Sequence, residues 1–114
     1  MKRHIWLSPP HFIGNELHYL QETIASKWLS VVGPHKEKFA SAICNYVKIP
    51  HITLTNSGTA ALHLALHILG VGKGDFVLTS TFTFVASVNP ISYVGAIPVL
   101  IESEADTWNM SPQF

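Results

Sequence analysis

Charged side chains are scarce in this sequence. Seven Lys and Arg and seven Asp and Glu make up 12% of its 114 residues and give a formal net charge of +0, whereas charged residues form about 25% of ordinary soluble domains. A sparse, balanced set of charges offers no basic surface for nucleic acid or for an anionic membrane. Because 47% of the residues are hydrophobic, we expect further chain, a partner subunit, or both, to cover part of the surface.

Cysteine and long apolar runs are nearly absent too. Cys44 is the single cysteine, which excludes an intrachain disulfide and fits a reducing cytoplasm; its place on a predicted helix favours a packed thiol. No apolar run reaches the roughly 18 residues of a membrane span. The residues that precede Pro9 lack the apolar core of a signal peptide. The sequence therefore predicts a cytoplasmic protein with no membrane or nucleic-acid partner.

The stretch TLTNSGTAALHLAL, residues 53–66, predicts a strand, a tight turn and a helix. Residues 52–55 are mostly β-branched and strand-like, and residues 60–69 are rich in Ala and Leu and stop at Gly70. The first N–H groups of such a helix lack partners, and Ser57, Gly58 and Thr59 stand beside them. This combination is typical of a phosphate site. It is equally typical of a simple helix cap, and the local pattern leaves both interpretations open.

The remaining elements predict an α/β fold. A helix capped by Asn15 and a second helix opened by Gly33-Pro34 come first. After the turn helix, the pattern predicts a strand over 76–79, a helix over 84–93 and a strand over 97–101. Such alternation forms a mainly parallel sheet, and ligands bind beyond the carboxyl ends of its strands. The turns at 56–59 and 81–84 follow strands and are therefore the candidate ligand-binding turns.

Two other motifs carry no function in this interpretation. His63 and His67 are four residues apart on one helix, but no third ligand accompanies them, so we expect packed histidines and no metal site. The glycine-rich segment 70–75 follows a helix and precedes a strand, which is the reverse of a dinucleotide-binding turn. We interpret it as a connector.

Four segments together resemble one enzyme family. These are GPHKEKF, NSGTAALHLAL, GKGDFVLTSTFTFVASVNPI and VGAIPVLIESEADTWNM. In this order they are similar to the N-terminal part of the DegT/DnrJ/EryC1/StrS family of pyridoxal-phosphate-dependent sugar aminotransferases. The resemblance covers nearly the whole sequence, and members of the family are several times longer.

The resemblance implies the fold and the cofactor contacts. The fold would be the first portion of the large domain of a fold type I transferase, a three-layer α/β/α structure with a mainly parallel sheet. Residues 1–50 would form an N-terminal helical segment and residues 51–114 the first part of the cofactor-binding domain. Ser57, Gly58 and Thr59 would hold the phosphate of pyridoxal 5'-phosphate, and Phe84 would stack on its ring. Without the resemblance, Phe84 would be interpreted as a core residue, as Phe82 is.

The resemblance also implies a reaction. An amino group would move from an amino acid, commonly glutamate, to a keto group of a nucleotide-linked sugar, as in polysaccharide or other amino-sugar biosynthesis, with the full-length enzyme acting as a homodimer. The lysine that forms a Schiff base with the cofactor and the acid that protonates its ring nitrogen lie in later segments of the family, so no catalytic residue is nominated in this chain. An alternative is a truncated, non-catalytic remnant or module that binds phosphate or a partner.

Overall fold

The computed structural model describes residues 4–113, which fall into two compact units divided between Thr53 and Leu54. Within the described range, no helix is long and apolar enough to cross a membrane. The first unit contains helices α1 (Glu16–Ser26) and α2 (Pro34–Val47). The second unit contains helix α3 (Gly58–Ile68), strand β1 (Phe76–Ser80), a 3-10 helix (Val85–Ser87), helix α4 (Asn89–Tyr93) and strand β2 (Ile97–Ile101).

Helix α1 begins with a different cap from the predicted one. Asn15 occupies the N-cap position but makes no side-chain capping bond. The carboxylate of Glu16 instead accepts hydrogen bonds from the N–H groups of Ile13, at 2.8 Å, and Gly14, at 2.9 Å. These bonds, that of Ile13 foremost, lower the pKa of Glu16 because they favour its charged form.

Both helices of the first unit end in the same way. Lys27 and Lys48 adopt left-handed backbone conformations, with φ of 61° and 59°, and their N–H groups bond to carbonyl oxygens of the last turns. Trp28 therefore lies beyond the end of α1. Helix α2 starts with Pro34 in its first turn, as predicted, and Cys44 on it is half-buried.

The second unit is built on a parallel strand pair. Strands β1 and β2 run in register from Phe76 opposite Ile97 to Ser80 opposite Ile101. Helix α3 packs against α4 and the 3-10 helix, and the rings of His63 and Tyr93 meet edge to face at 5.6 Å. The buried centre of this unit includes Pro90, Ile91 and Ala96, so the segment between the 3-10 helix and β2 carries its core.

Two expected elements differ in the structure. Residues 52–55 form no strand, since a strand needs a hydrogen-bonded neighbour and the described sheet contains only β1 and β2. The single helix expected over 84–93 is divided into the 3-10 helix and α4. Pro90 explains the division, because its ring clashes with the carbonyl four residues earlier and it has no N–H to donate.

Candidate functional site

Ser57 caps helix α3. Its backbone is extended, with φ of −160° and ψ of 158°, and its Oγ accepts a hydrogen bond from the N–H of Ala60 at 3.1 Å. The Ser57 carbonyl accepts from the N–H of Ala61, also at 3.1 Å, and from the hydroxyl of Thr55 at 2.9 Å. The capping interpretation is therefore correct for Ser57, and two of the first four N–H groups of the helix are satisfied.

The next two N–H groups belong to Gly58 and Thr59. Across residues 4–113 neither meets a hydrogen-bond acceptor, and the hydroxyl of Thr59 makes no hydrogen bond. No atom lies within 4 Å of the point where a Cβ on Gly58 would stand. Two unpaired N–H groups, a hydroxyl and open space at the positive end of an 11-residue helix suit a phosphate. The chemistry of this turn thus fits the phosphate of pyridoxal 5'-phosphate.

Phe84 lies at the surface of the second unit. It directly precedes the 3-10 helix with φ of −68° and ψ of 136°, and 77% of the residue is exposed. Within the described residues Phe84 is therefore not a core side chain. Since its 3-10 helix contacts α3, Phe84 and the Ser57 turn belong to elements that pack together.

Phe82 is not the buried residue that the sequence suggested. It is 65% exposed, and its ring lies against that of Trp108, with centroids 5.0 Å apart and the planes tilted by 45°. Residues 81–83 form a bend between β1 and Phe84, and this bend keeps the Phe82 ring outside the core. The backbone of Trp108 is left-handed, with φ of 60°.

A polar network that the sequence analysis missed joins the ends of the two strands. The hydroxyl of Thr81 donates to Oε1 of Glu102 at 2.9 Å, and Oγ of Ser80 lies 3.0 Å from Oγ of Ser103. Both strands are followed by polar residues, which is the signal that could have revealed it. The sequence did not supply the register of the two strands, which sets Ser80 beside Ile101.

The expectation of packed histidines is wrong, whereas the glycine-rich segment is a connector as expected. His63 and His67 are both exposed, although the ring of His63 meets that of Tyr93 edge to face. No cluster of three potential metal ligands occurs in the part of the chain described. In the connector between α3 and β1, the Asp75 carboxylate accepts from the N–H of Gly72 at 2.8 Å, and the N–H of Asp75 donates to the Gly72 carbonyl at 3.1 Å. Asp75 thus closes a turn of the chain.

Comparison with known proteins gives a consistent result. The family model for the DegT/DnrJ/EryC1/StrS aminotransferase family matches residues 11–114. EpsN of Bacillus subtilis (strain 168), described as a candidate pyridoxal phosphate-dependent aminotransferase, is 48% identical over 112 residues, which are 98% of this chain and 29% of EpsN. The GDP-perosamine synthase of Escherichia coli O157:H7 is 38% identical over 109 residues, 96% of this chain and 30% of the enzyme.

A solved structure agrees with these sequence matches. Spr1654 of Streptococcus pneumoniae, described as a candidate sugar aminotransferase and solved in its PMP form, superposes with a TM-score of 0.84 at 36% identity. The match covers 96% of this chain and 27% of Spr1654. The chain thus spans less than a third of the length of these relatives. The similarity confirms the expected fold class, the α/β architecture of pyridoxal-phosphate-dependent aminotransferases, and the chain belongs to the DegT/DnrJ/EryC1/StrS aminotransferase family.

Proposed function

We propose that this chain is the first part of a pyridoxal-phosphate-dependent aminotransferase that acts on a nucleotide-linked keto sugar. The amino donor would be an amino acid, with glutamate as the first candidate. Residues 1–50 would be an N-terminal helical segment and residues 51–114 the beginning of the cofactor-binding domain. The full-length enzyme would work in the cytoplasm as a homodimer in amino-sugar or polysaccharide biosynthesis. The enzymatic class of the relatives supports this proposal.

The observation that carries the proposal is the unsatisfied start of helix α3. The N–H groups of Gly58 and Thr59 and the Thr59 hydroxyl are three donors without acceptors among residues 4–113. A phosphate can accept from all three at once, and each charge-assisted hydrogen bond is stronger than a neutral one. The hydroxyl of Ser57 caps Ala60 and can still turn its hydrogen toward a phosphate, because its present acceptor, Oδ1 of Asn56, is 3.5 Å away.

Phe84 would cover one face of the cofactor ring. Its exposed ring is available for stacking, and an aromatic plate of this kind restrains the tilt of a conjugated ring against it. When bound, the cofactor supplies an electron sink for breaking bonds at the amino-bearing carbon. The chain's own residues would bind and orient it, while the lysine and the acid that act on it would come from later segments of the full-length enzyme.

The test uses the complete protein that contains this chain. Absorbance titration with pyridoxal 5'-phosphate measures binding, borohydride reduction followed by peptide mapping locates a covalent adduct, and incubation with glutamate and nucleotide-linked keto sugars measures amino transfer. We expect binding, an adduct on a lysine outside residues 1–114, and transfer. Phosphate binding without an adduct or transfer would favour the alternative, a non-catalytic phosphate-binding module.

A further inference from the structure

The turn that carries Phe84 is attached to the end of the neighbouring strand. The N–H of Thr81 donates to the carbonyl of Ile101 at 2.9 Å and so extends the parallel ladder one residue beyond β1. The chain then bends through residues 81–83, and Phe84 follows at once. The direction of the Phe84 ring therefore depends on how firmly this bend is held.

Glu102, the first residue after strand β2, makes a charged side-chain contact to this bend. One carboxylate oxygen, Oε1, accepts from the hydroxyl of Thr81 at 2.9 Å and from the N–H of Ser103 at 3.2 Å. The carboxylate thus ties the first residue after β1 to the residues after β2, 21 positions later in the sequence. Hydrogen bonds to an ionised acceptor are stronger than bonds between neutral groups.

Further polar contacts hold the same bend at its two ends. The hydroxyl of Ser80 accepts from the N–H of Phe82 at 3.1 Å and meets Oγ of Ser103 at 3.0 Å. On the other side, the hydroxyl of Thr83 donates to Oγ of Ser87 at 3.1 Å. Because Phe84 itself is exposed, packing does not set the position of its ring. The backbone, which these hydrogen bonds fix, sets it.

We propose that Glu102 is a positioning residue for Phe84: it fixes the bend at residues 81–83 so that the exposed ring is preorganised to cover the cofactor. This inference rests on the proposed function, because the proposed function gives Phe84 its stacking role. Removing the carboxylate releases the Thr81 hydroxyl, and the bend then samples orientations in which the ring does not face the cofactor. Cofactor binding must then order the bend again, and the entropy lost in doing so weakens the affinity for the cofactor.

The test compares substitutions in the complete protein. Glu102→Ala removes the acceptor, whereas Glu102→Gln retains an oxygen at the same place. Thr81→Val removes the donor and keeps the side-chain shape, so it tests the same bond from the other strand. Asp106→Ala is the matched control, because it removes a carboxylate from the same loop at an exposed position.

Two measurements are made on each variant. In the apoprotein, hydrogen exchange of the amides of residues 81–84 should become faster with Glu102→Ala and Thr81→Val, but not with the control. In the titration, these two variants should raise the Kd for pyridoxal 5'-phosphate about three- to tenfold, the loss expected for one net hydrogen bond. Glu102→Gln should recover most of the affinity.

The decisive comparison is made in a Phe84→Ala background. If Glu102 acts through Phe84, Glu102→Ala should add nothing to the Kd of Phe84→Ala. An equal increase in both backgrounds, or a wild-type Kd for Glu102→Ala, overturns the inference while Phe84→Ala alone still reports on the stacking role. A complete protein that does not bind the cofactor overturns the proposed function and this inference together.

Discussion

Replacing Thr59 by alanine separates phosphate binding from helix capping. The Thr59 hydroxyl has no partner in the described part of the protein, so its loss removes no internal hydrogen bond. Alanine is also the better helix former, by up to about 0.7 kcal/mol. The apoprotein should therefore be as stable as the wild type or slightly more stable. The affinity for pyridoxal 5'-phosphate should instead fall by about 1–3 kcal/mol, the value of one charge-assisted hydrogen bond.

Ser57→Ala is the complementary substitution. Its Oγ accepts from the N–H of Ala60, and removal of such a cap costs about 1 kcal/mol of helix stability. Urea unfolding of the apoproteins should therefore rank Ser57→Ala below both the wild type and Thr59→Ala.

The assay for the Thr59 prediction is the absorbance titration of the complete protein. The expected loss corresponds to a Kd raised roughly five- to 150-fold, and Thr59→Ser, which restores the hydroxyl, should recover most of it. A Thr59→Ala protein that keeps the wild-type Kd would refute the phosphate assignment at this turn. A protein that loses stability as well as affinity would show that the hydroxyl serves the fold.

Three further outcomes are expected. Phe84→Ala should weaken cofactor binding and slow turnover with unfolding by urea unchanged, and Phe84→Trp should be tolerated; unfolding that precedes any loss of cofactor would instead make Phe84 a core residue. Residues 1–114 made alone should aggregate or self-associate, because a two-stranded parallel sheet leaves both outer edges open. They should give neither a borohydride-reduced adduct nor amino transfer, and a stoichiometric adduct on one lysine would contradict this. Because the pKa of Glu16 is lowered, its contribution to stability is present above the unfolded-state pKa and is lost as the pH falls through the folded-state value; urea unfolding at neutral and acid pH should show a smaller acid-induced loss for Glu16→Gln than for the wild type.

Local chemistry explains which elements the sequence could predict. Pro34 opens α2, Ser57 caps α3 and the segment 97–101 forms β2 with the predicted bounds. The two helix starts depend on residues within one turn of the chain, whereas β2 also needs β1 beside it. The predicted strand at 52–55 failed because pairing is a property of two segments, and the sequence of one segment does not supply the other. The helix over 84–93 failed on a local rule that was available, the effect of Pro90 on a helix interior.

In the candidate site, too, the features within one turn could be predicted from the sequence and the contact between distant segments could not. The donors at Gly58 and Thr59 belong to one turn, and a short motif was enough to predict them. Their role in binding a phosphate stays a prediction, as does the stacking role of Phe84. The contact between Thr81 and Glu102 joins the residues that follow two strands, and a polar residue after one strand does not by itself identify its partner. Only the register of β1 against β2 brings the two side chains together.

That contact has a consequence for how the sequence can change over evolution. A hydroxyl at position 81 and a carboxylate at position 102 hold the bend only as a pair, because either exposed side chain alone turns to solvent and no longer links the two segments. A change at either position alone should loosen the bend more than a paired change to another donor and acceptor whose side chains together span the same distance. Aligned relatives should therefore show positions 81 and 102 varying together, and a pair of apolar residues there would mark members that hold this bend by packing.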